Sequence, residues 1–413
     1  MEERELSVNE DKYIKLILKD KDKIYMELCI NINKEIEHIN LDKYEELVKI
    51  KNKIDCNDWD KNKRFCNDYE LIHISNKKVS NGIALYEPLS RSYFKMVEMI
   101  FDFDLLNSEY LLKNNIILPE FKSAHIAEGP GGFLESTYNL SHNLARFKKY
   151  SHHAITLLSN DFDIPGWRRA RSFINSDNDI KISYGEDGTG NIYDIKNIKN
   201  FVNTVGIGSC NLITADGGFD FSKDFNKQEH MSYKLILCEI IIALYLQKNG
   251  GHFVCKIFDS FSIPTVKLIY FLSCFYKEVY INKPVTSRPA NSEKYIVAKD
   301  FIGIEIDYLN NLLDLLNIWN KLNLPFIHDI FTGDIPEYFI VQIEKYNIDN
   351  SDDQIISINN AIKFIENKVS LTVLDNVISN QVNKAMEWCD KYNEKININS
   401  SFIKNIKISK YKY

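Results

Sequence analysis

From about residue 121 to residue 298 the chain alternates short apolar runs with helical stretches, and this alternation constrains the fold more than any other feature. Residues 124–127 form a short apolar run that stops at glycine and proline, and 133–147 read as a helix. Further apolar runs follow at 154–158, 180–184, 211–215, 252–258, 278–282 and 295–298. Residues 231–247 form a strongly apolar helix with Asn249-Gly250-Gly251 as its glycine stop, and 264–275 form another helix. Repeated strand–helix units imply an α/β fold with a seven-stranded, mostly parallel sheet and helices on both faces.

The flanks read differently. Residues 1–90 mix Lys, Asp and Glu with scattered apolar positions and predict a helical N-terminal extension. Residues 91–112 form an amphipathic helix. The α/β domain is expected over 91–302, and 303–413 is expected to be a mainly helical C-terminal extension ending in a lysine-bearing tail.

With a net charge of −6, any nucleic-acid contact must be a local patch. The eight cysteines show no C-x-x-C pair, which suits reduced thiols rather than zinc. The first residues are charged and carry no apolar signal core, and the longest apolar stretch, 235–246, is too short to span a bilayer. An intracellular protein is expected, neither secreted nor membrane-bound. Nucleus and cytoplasm both stay open, a viral cytoplasmic factory included.

Between the first strand and its helix stands Glu128-Gly129-Pro130-Gly131-Gly132-Phe133. Glycines let the backbone turn and let a ligand approach it, and open α/β sheets bind ligands at the carboxyl ends of their strands. The loop matches neither G-x-G-x-x-G nor G-x-x-x-x-G-K-[ST], which argues against a dinucleotide or a nucleoside triphosphate. A carboxylate at Glu128 suits a ligand with hydroxyl and ammonium donors and no phosphate. S-adenosylmethionine has those properties.

Four charged residues mark strand ends or the helix before the sheet. Asp216 closes the fourth run in Ala215-Asp216-Gly217-Gly218-Phe219. Lys256 lies inside the fifth, an apolar strand where a lysine is costly unless paired. Glu293 precedes the seventh, and Lys95 lies on the first amphipathic helix. The Lys256 side chain reads either as half of a buried ion pair or as a base whose pKa is lowered by burial and by Lys95.

These motifs, from His125 through Glu135, Ala215 to Phe219, Gly250 to Asp259 and Lys283 to Tyr295, resemble those of the FtsJ-like (RrmJ-type) ribose 2′-O-methyltransferases. They are most similar to the eukaryotic and viral enzymes acting on mRNA caps. The resemblance covers roughly residues 60–300. It implies a Rossmann-like methyltransferase fold, S-adenosyl-L-methionine as cofactor, and Lys95, Asp216, Lys256 and Glu293 as a catalytic tetrad. It further implies cofactor contacts from Glu128, Gly129, Pro130, Gly131, Gly132, Phe133, Asn191 and Asp216. Candidate RNA or cap contacts are Lys63, Arg64, Ser287 and Arg288. His125 departs from the Asp of many relatives, and Asn191 replaces an Asp.

The implied reaction is methylation of the 2′-hydroxyl of the first transcribed nucleotide (cap-1). Lys256 would be the base, and no metal would be needed, since neither H-E-x-x-H nor paired cysteines occur. The expected partner is the 5′ end of capped mRNA, with other capping or transcription proteins as further partners. Three alternatives stay open: the second cap nucleotide, rRNA or tRNA as substrate, and a non-catalytic subunit of a capping complex.

Overall fold

The computed structural model describes residues 13–18, 24–31, 36–54, 58–74, 81–161, 164–218, 225–324, 327, 329–366 and 370–404. The charged start of the chain, Phe219 and the tail beyond Lys404 lie outside them. The N-terminal part holds strands β1 (Tyr13–Leu16) and β2 (Leu28–Asn31) and helices α1 (Leu41–Lys51) and α2 (Trp59–Asn62). Helices α3 (Ser92–Asp102) and α4 (Ser108–Lys113) lead into the alternating region. There β3 (Phe121–Ile126), α5 (Gly132–Leu144), β4 (Tyr150–Ile155), α6 (Arg171–Ile174), β5 (Ile180–Ser183) and α7 (Ile195–Val205) follow one another. Next come β6 (Cys210–Ala215), α8 (Gln228–Leu246), β7 (Gln247–Ile257), α9 (Ile263–Ser273), β8 (Tyr276–Asn282) and β9 (Lys294–Phe301). The chain closes with α10 (Ile306–Leu322), β10 (Asp329–Phe331), α11 (Glu337–Glu366) and α12 (Leu371–Lys391).

The main sheet has the order β1-β8-β9-β7-β6-β3-β4-β5. Strands β5, β4, β3, β6 and β7 run parallel, and β9, β8 and β1 are antiparallel to their neighbours. Strand order reverses between β3 and β6, so the carboxyl ends of these two strands open the crevice where such sheets take ligands. Seven strands stand at or near the predicted runs, although β4 lies at Tyr150–Ile155 and overlaps the predicted 154–158 only at Ala154 and Ile155. The eighth, β1, comes from the segment predicted to be helical. It pairs Tyr13 to Asn282 through Leu16 to Val279 and covers the edge that β8 would otherwise expose. A second departure lies at Asn249-Gly250-Gly251, which is no helix cap. Helix α8 ends at Leu246, β7 begins at once, and the glycines fall where the β6–β7 register shifts between Cys210 and Leu212.

Side chains alternate across the strands with period two. Ala124, Ile126, Ile213, Ala215, Phe253, Cys255 and Ile257 face a core closed by α7, α8, α9 and α10. Phe121, Leu212, Val254, Tyr295 and Val297 face the other side, with Met96 and Met99 of α3 and Phe133 of α5. Helix α8 is apolar all round because it is buried along almost its whole length. Among the described residues no helix is long and apolar enough to cross a membrane.

The flanking segments are built into this body. Leu71, Ile72, Ile83 and Ala84 from the N-terminal side, Val382, Ala385 and Trp388 from α12 and Tyr392 just after it share one apolar cluster with Tyr93, Phe94 and Val97 of α3. At its centre the buried Glu98 carboxylate accepts the N–H groups of Val285 (2.7 Å) and Thr286 (2.9 Å) and the Trp388 indole N–H (3.0 Å). One side chain thereby ties α3, the segment before β9 and α12 together.

Burial raises the Glu98 carboxyl to about 7, against the pull of its three donors. The folded state therefore binds this proton more tightly than the unfolded chain. The resulting stability, on the order of 3 kcal/mol, is complete below the ordinary carboxylate range and is lost as pH rises through about 7. Glu98→Gln keeps an acceptor and cannot ionise. Its Tm, followed by circular dichroism, should fall less than the wild type's between pH 5 and 8; parallel pH profiles would refute this.

Candidate active site

The loop after β3 is tightly tied. Ala127 N–H donates to the Ile155 carbonyl (2.8 Å), Gly129 N–H to Thr156 Oγ1 (3.4 Å) and Gly131 N–H to the Glu128 carbonyl (2.7 Å). Gly131 adopts φ +106° as it turns the chain into α5. These three amides are consumed internally, while α5 begins at Gly132 without a side-chain cap. Glu128–Phe133 holds no lysine or arginine to meet a phosphate, which suits a phosphate-free cofactor.

Gly132 has a separate role. A Cβ there would collide with the Ser90 and Ser92 hydroxyls and lie 2.8 Å from Tyr93 N. The missing side chain lets the start of α5 abut the start of α3, and α3 carries Lys95. The Asp216-Gly217-Gly218 turn is equally crowded. A Cβ at Gly217 would strike Glu239 Oε1, and one at Gly218 would stand 3.0 Å from Lys256 Nζ.

The tetrad comes together as two ion pairs. Lys95 Nζ lies 2.5 Å from Glu293 Oε1, and Lys256 Nζ lies 3.2 Å from Asp216 Oδ1 while donating to the Asp216 carbonyl at 2.8 Å. The four side chains are only 12–14% exposed. Tyr295, fully buried, joins the pairs: its hydroxyl donates to Asp216 Oδ1 (3.0 Å) and lies 3.5 Å from Lys95 Nζ. Tyr295 was not singled out from the sequence, although it directly follows the Glu293-Lys294 pair of a recognised motif.

The charge state of Lys256 reverses one expectation. Burial does press its pKa down, but Asp216, Glu293 and Glu239 lift it further, so the net shift is upward. Lys95 is itself paired with Glu293. The Glu293 carboxyl, despite burial, is held far below its ordinary range by Lys95 and Lys256. At rest Lys256 is thus held as an ammonium and Glu293 as a carboxylate.

Other predicted contacts are placed differently. The Glu128 carboxylate turns inward under the loop, where it accepts from Thr214 Oγ1 and lies 3.3 Å from His125 Nδ1. Its side chain is wholly buried, so it faces protein instead of ligand hydroxyl or ammonium groups. Phe133 is also fully buried, its ring tilted against that of Tyr295 with centroids 5.5 Å apart. The turn bearing Asn191 lies against the segment after β4, since a Cβ at Gly190 would meet the Thr156 carbonyl and Leu158 N–H donates to Thr189 O (2.7 Å). Asn191 Oδ1 accepts Tyr193 N–H (3.0 Å).

Of the RNA candidates, Ser287 is buried and donates to Glu293 Oε1 (2.7 Å), which makes it a support of the tetrad. Arg288 grips the Glu70 carboxylate through Nε (3.0 Å) and Nη2 (2.7 Å). Arg91 reaches the same stretch through the Glu70 and Tyr69 carbonyls, both at 3.0 Å. Arg288 thus docks the N-terminal extension. Lys63 closes α2, and Arg64 is exposed with its carbonyl accepting from Gln381 Nε2 (2.8 Å).

Residues 88–301 match the model of the FtsJ-like methyltransferase family. The chain is similar to the cap-specific mRNA (nucleoside-2′-O-)-methyltransferase 1 of Mus musculus, 36% identical over 312 residues that cover 71% of this chain and 34% of that one. The corresponding methyltransferase 1A of Caenorhabditis briggsae is 29% identical over 350 residues, covering 76% and 38%. The cap-specific mRNA (nucleoside-2′-O-)-methyltransferase 1 of Danio rerio is 37% identical over 226 residues, covering 51% and 26%. The chain spans about a third of the length of the first of these relatives.

Gly132→Ala should push α5 and α3 apart and cost about 1–3 kcal/mol of stability, as overpacking does. If the contact positions Lys95, turnover should fall well beyond what the fraction unfolded explains. Melting curves and initial rates on the same preparation check both parts.

Proposed function

Because the chain belongs to the FtsJ-like methyltransferase family, we propose that it is an S-adenosyl-L-methionine-dependent RNA 2′-O-methyltransferase acting on the 5′ end of capped mRNA. The target is the 2′-hydroxyl of the first transcribed nucleotide. The observation that carries this reading is the convergence of Lys95, Asp216, Lys256 and Glu293 in two buried ion pairs at the mouth of the β3–β6 crevice. The similarity to cap-specific mRNA methyltransferases favours a cap over rRNA or tRNA.

When bound, the cofactor supplies a methyl group on a positively charged sulfur. The backbone at Gly129, Pro130 and Gly131, the Asn191 amide and Asp216 are the groups that would hold it. Lys256 is the group that would meet the ribose hydroxyl, and Asp216 fixes the lysine through its carbonyl and carboxylate oxygens. In the resting site Lys256 is an ammonium, so it orients the hydroxyl oxygen and must shed its proton before it can accept another. Positive charge brought into the crevice works in that direction by opposing the ammonium form. Lys95, anchored by Glu293 and Tyr295, adds a second positive charge facing the developing alkoxide. Positioning two reactants in a dry crevice supplies most of the remaining rate.

Transfer of labelled methyl to short RNAs, with the product nucleotide identified, tests the proposal. Capped RNA should be methylated on its first nucleotide and uncapped RNA should not. Label on the second nucleotide, on rRNA or tRNA, or nowhere would support the corresponding alternative instead. Lys256→Ala should lower turnover by roughly 10²–10⁴-fold with cofactor affinity largely kept. Wild-type turnover should rise from pH 7 to 9, because the lysine must deprotonate; a flat profile would remove Lys256 from the role of base.

A further inference from the structure

Near the middle of the buried helix α8, between Cys238 and Ile240, stands the fully buried side chain of Glu239. A buried carboxyl group is costly unless it is hydrogen-bonded, so one kept almost without partners calls for a reason. Its two oxygens differ. Oε2 lies 3.7 Å from Cys255 Sγ, whose S–H is a weak donor. Oε1 is buried and has no hydrogen-bond partner among the described residues.

The direction of Oε1 is fixed by its contact with Gly217. It occupies the space that a Cβ at Gly217 would fill, and the Ala127 Cβ stands 3.1 Å from that same position. The orphan oxygen therefore lies between the residues that follow β3 and β6. The next residue of the turn meets the lysine: a Cβ at Gly218 would stand 3.0 Å from Lys256 Nζ, and Lys256 donates to the Asp216 carbonyl (2.8 Å). On β7, Cys255 turns to the α8 side and meets Glu239, while the next residue, Lys256, turns to the site. Glu239 and Lys256 thus touch successive residues of one turn, and the donor to Glu239 directly precedes Lys256 in one strand.

Among the described residues, the other ionisable groups facing Glu239 are Asp216 after β6, Cys255 on β7, Glu128 after β3, Cys238 on α8 and Tyr193 before α7. Lys256 is the cation of this set. Burial lifts the Glu239 carboxyl well above the usual carboxylate range, against the pull of Lys256. Its ionisation is thereby moved toward the range in which Lys256 titrates.

We propose that Glu239 is a positioning residue that sets, from behind the sheet, how readily Lys256 gives up its proton. This assignment rests on Lys256 being the base of methyl transfer. With Glu239 neutral, Asp216 and Glu293 are the carboxylates that hold the lysine as an ammonium. With Glu239 ionised, a third negative charge joins them and the ammonium is held more firmly. A side chain without exposed surface thus tunes the base, and Gly217 keeps open the space its oxygen needs.

The test is the pH profile of single-turnover methyl transfer at saturating cofactor, with whichever RNA the wild type methylates. Glu239→Gln keeps the shape and cannot ionise. The midpoint of its rising limb should lie about one pH unit below that of the wild type, the low end of what a nearby unlike charge produces. Cys255→Ala removes the donor to the Glu239 carboxylate and should move the midpoint the same way by less. In the Glu239→Gln background it should add nothing, since the two act through one group. A purely structural role would lower rate or stability without moving the midpoint. Circular dichroism shows whether each variant is folded; if Glu239→Gln is not, the downward shift in Cys255→Ala decides alone. Coincident profiles, an upward shift, or independent shifts in the double variant would overturn the assignment. No transfer to any RNA by the wild type would remove the proposed function and this assignment together, whereas transfer with coincident profiles would remove this assignment alone.

Discussion

Two lysines and two carboxylates share a nearly dry crevice, and their mutual pairing is the interaction on which the rest depends. A single buried charge left without its partner is strongly destabilising, by about 3–5 kcal/mol for a broken buried pair. Lys256 on β7 therefore requires Asp216 from the end of β6, and Lys95 on α3 requires Glu293 from the segment before β9. The four segments must arrive together for any of them to be tolerated. The glycines make this feasible, because Gly132 admits α3, and Gly217 and Gly218 leave room for the Glu239 and Lys256 side chains.

A second buried charge group holds the segment that bears Glu293. Lys51 on α1 donates to Asp259 Oδ2 (2.7 Å) and Ser292 Oγ (2.8 Å), while Lys294 lies 3.4 Å from Asp259 Oδ1 and donates to the Phe258 carbonyl (3.0 Å). The two lysines hold the Asp259 carboxyl down at about 2 despite its burial. Arg288–Glu70 and Glu98–Trp388 add further ties. The flanking segments are thus structural parts of the site: α1 and the Glu70 stretch brace it from one side and α12 from the other. The same logic explains the eighth strand, since an antiparallel edge at β8 is better covered than exposed.

The opposite edge of the molecule shows what a polar row inside a sheet entails. Glu128, turned inward, is linked through Thr214, His125 and Ser123 to His152 by one continuous row of buried hydrogen bonds. The departure at His125 from the Asp of many relatives is linked to this geometry, because an imidazole can donate to Thr214 and accept from Ser123 at once.

The sequence by itself determined the parts whose signal is local. Period-two and near-continuous apolar runs mark all seven strands of the alternating region, the all-apolar Leu235 to Leu246 stretch marks a buried helix, and four short motifs name the tetrad. Tertiary structure alone decided the rest. It showed that Tyr13–Leu16 is a strand, because an edge strand is defined by the partner it covers. It turned Glu128 inward, made Ser287 and Arg288 braces, and raised the Lys256 pKa instead of lowering it. Each of these depends on which charges and hydroxyls from distant segments come within a few ångströms, and Coulomb and desolvation effects of that kind leave no trace in local periodicity.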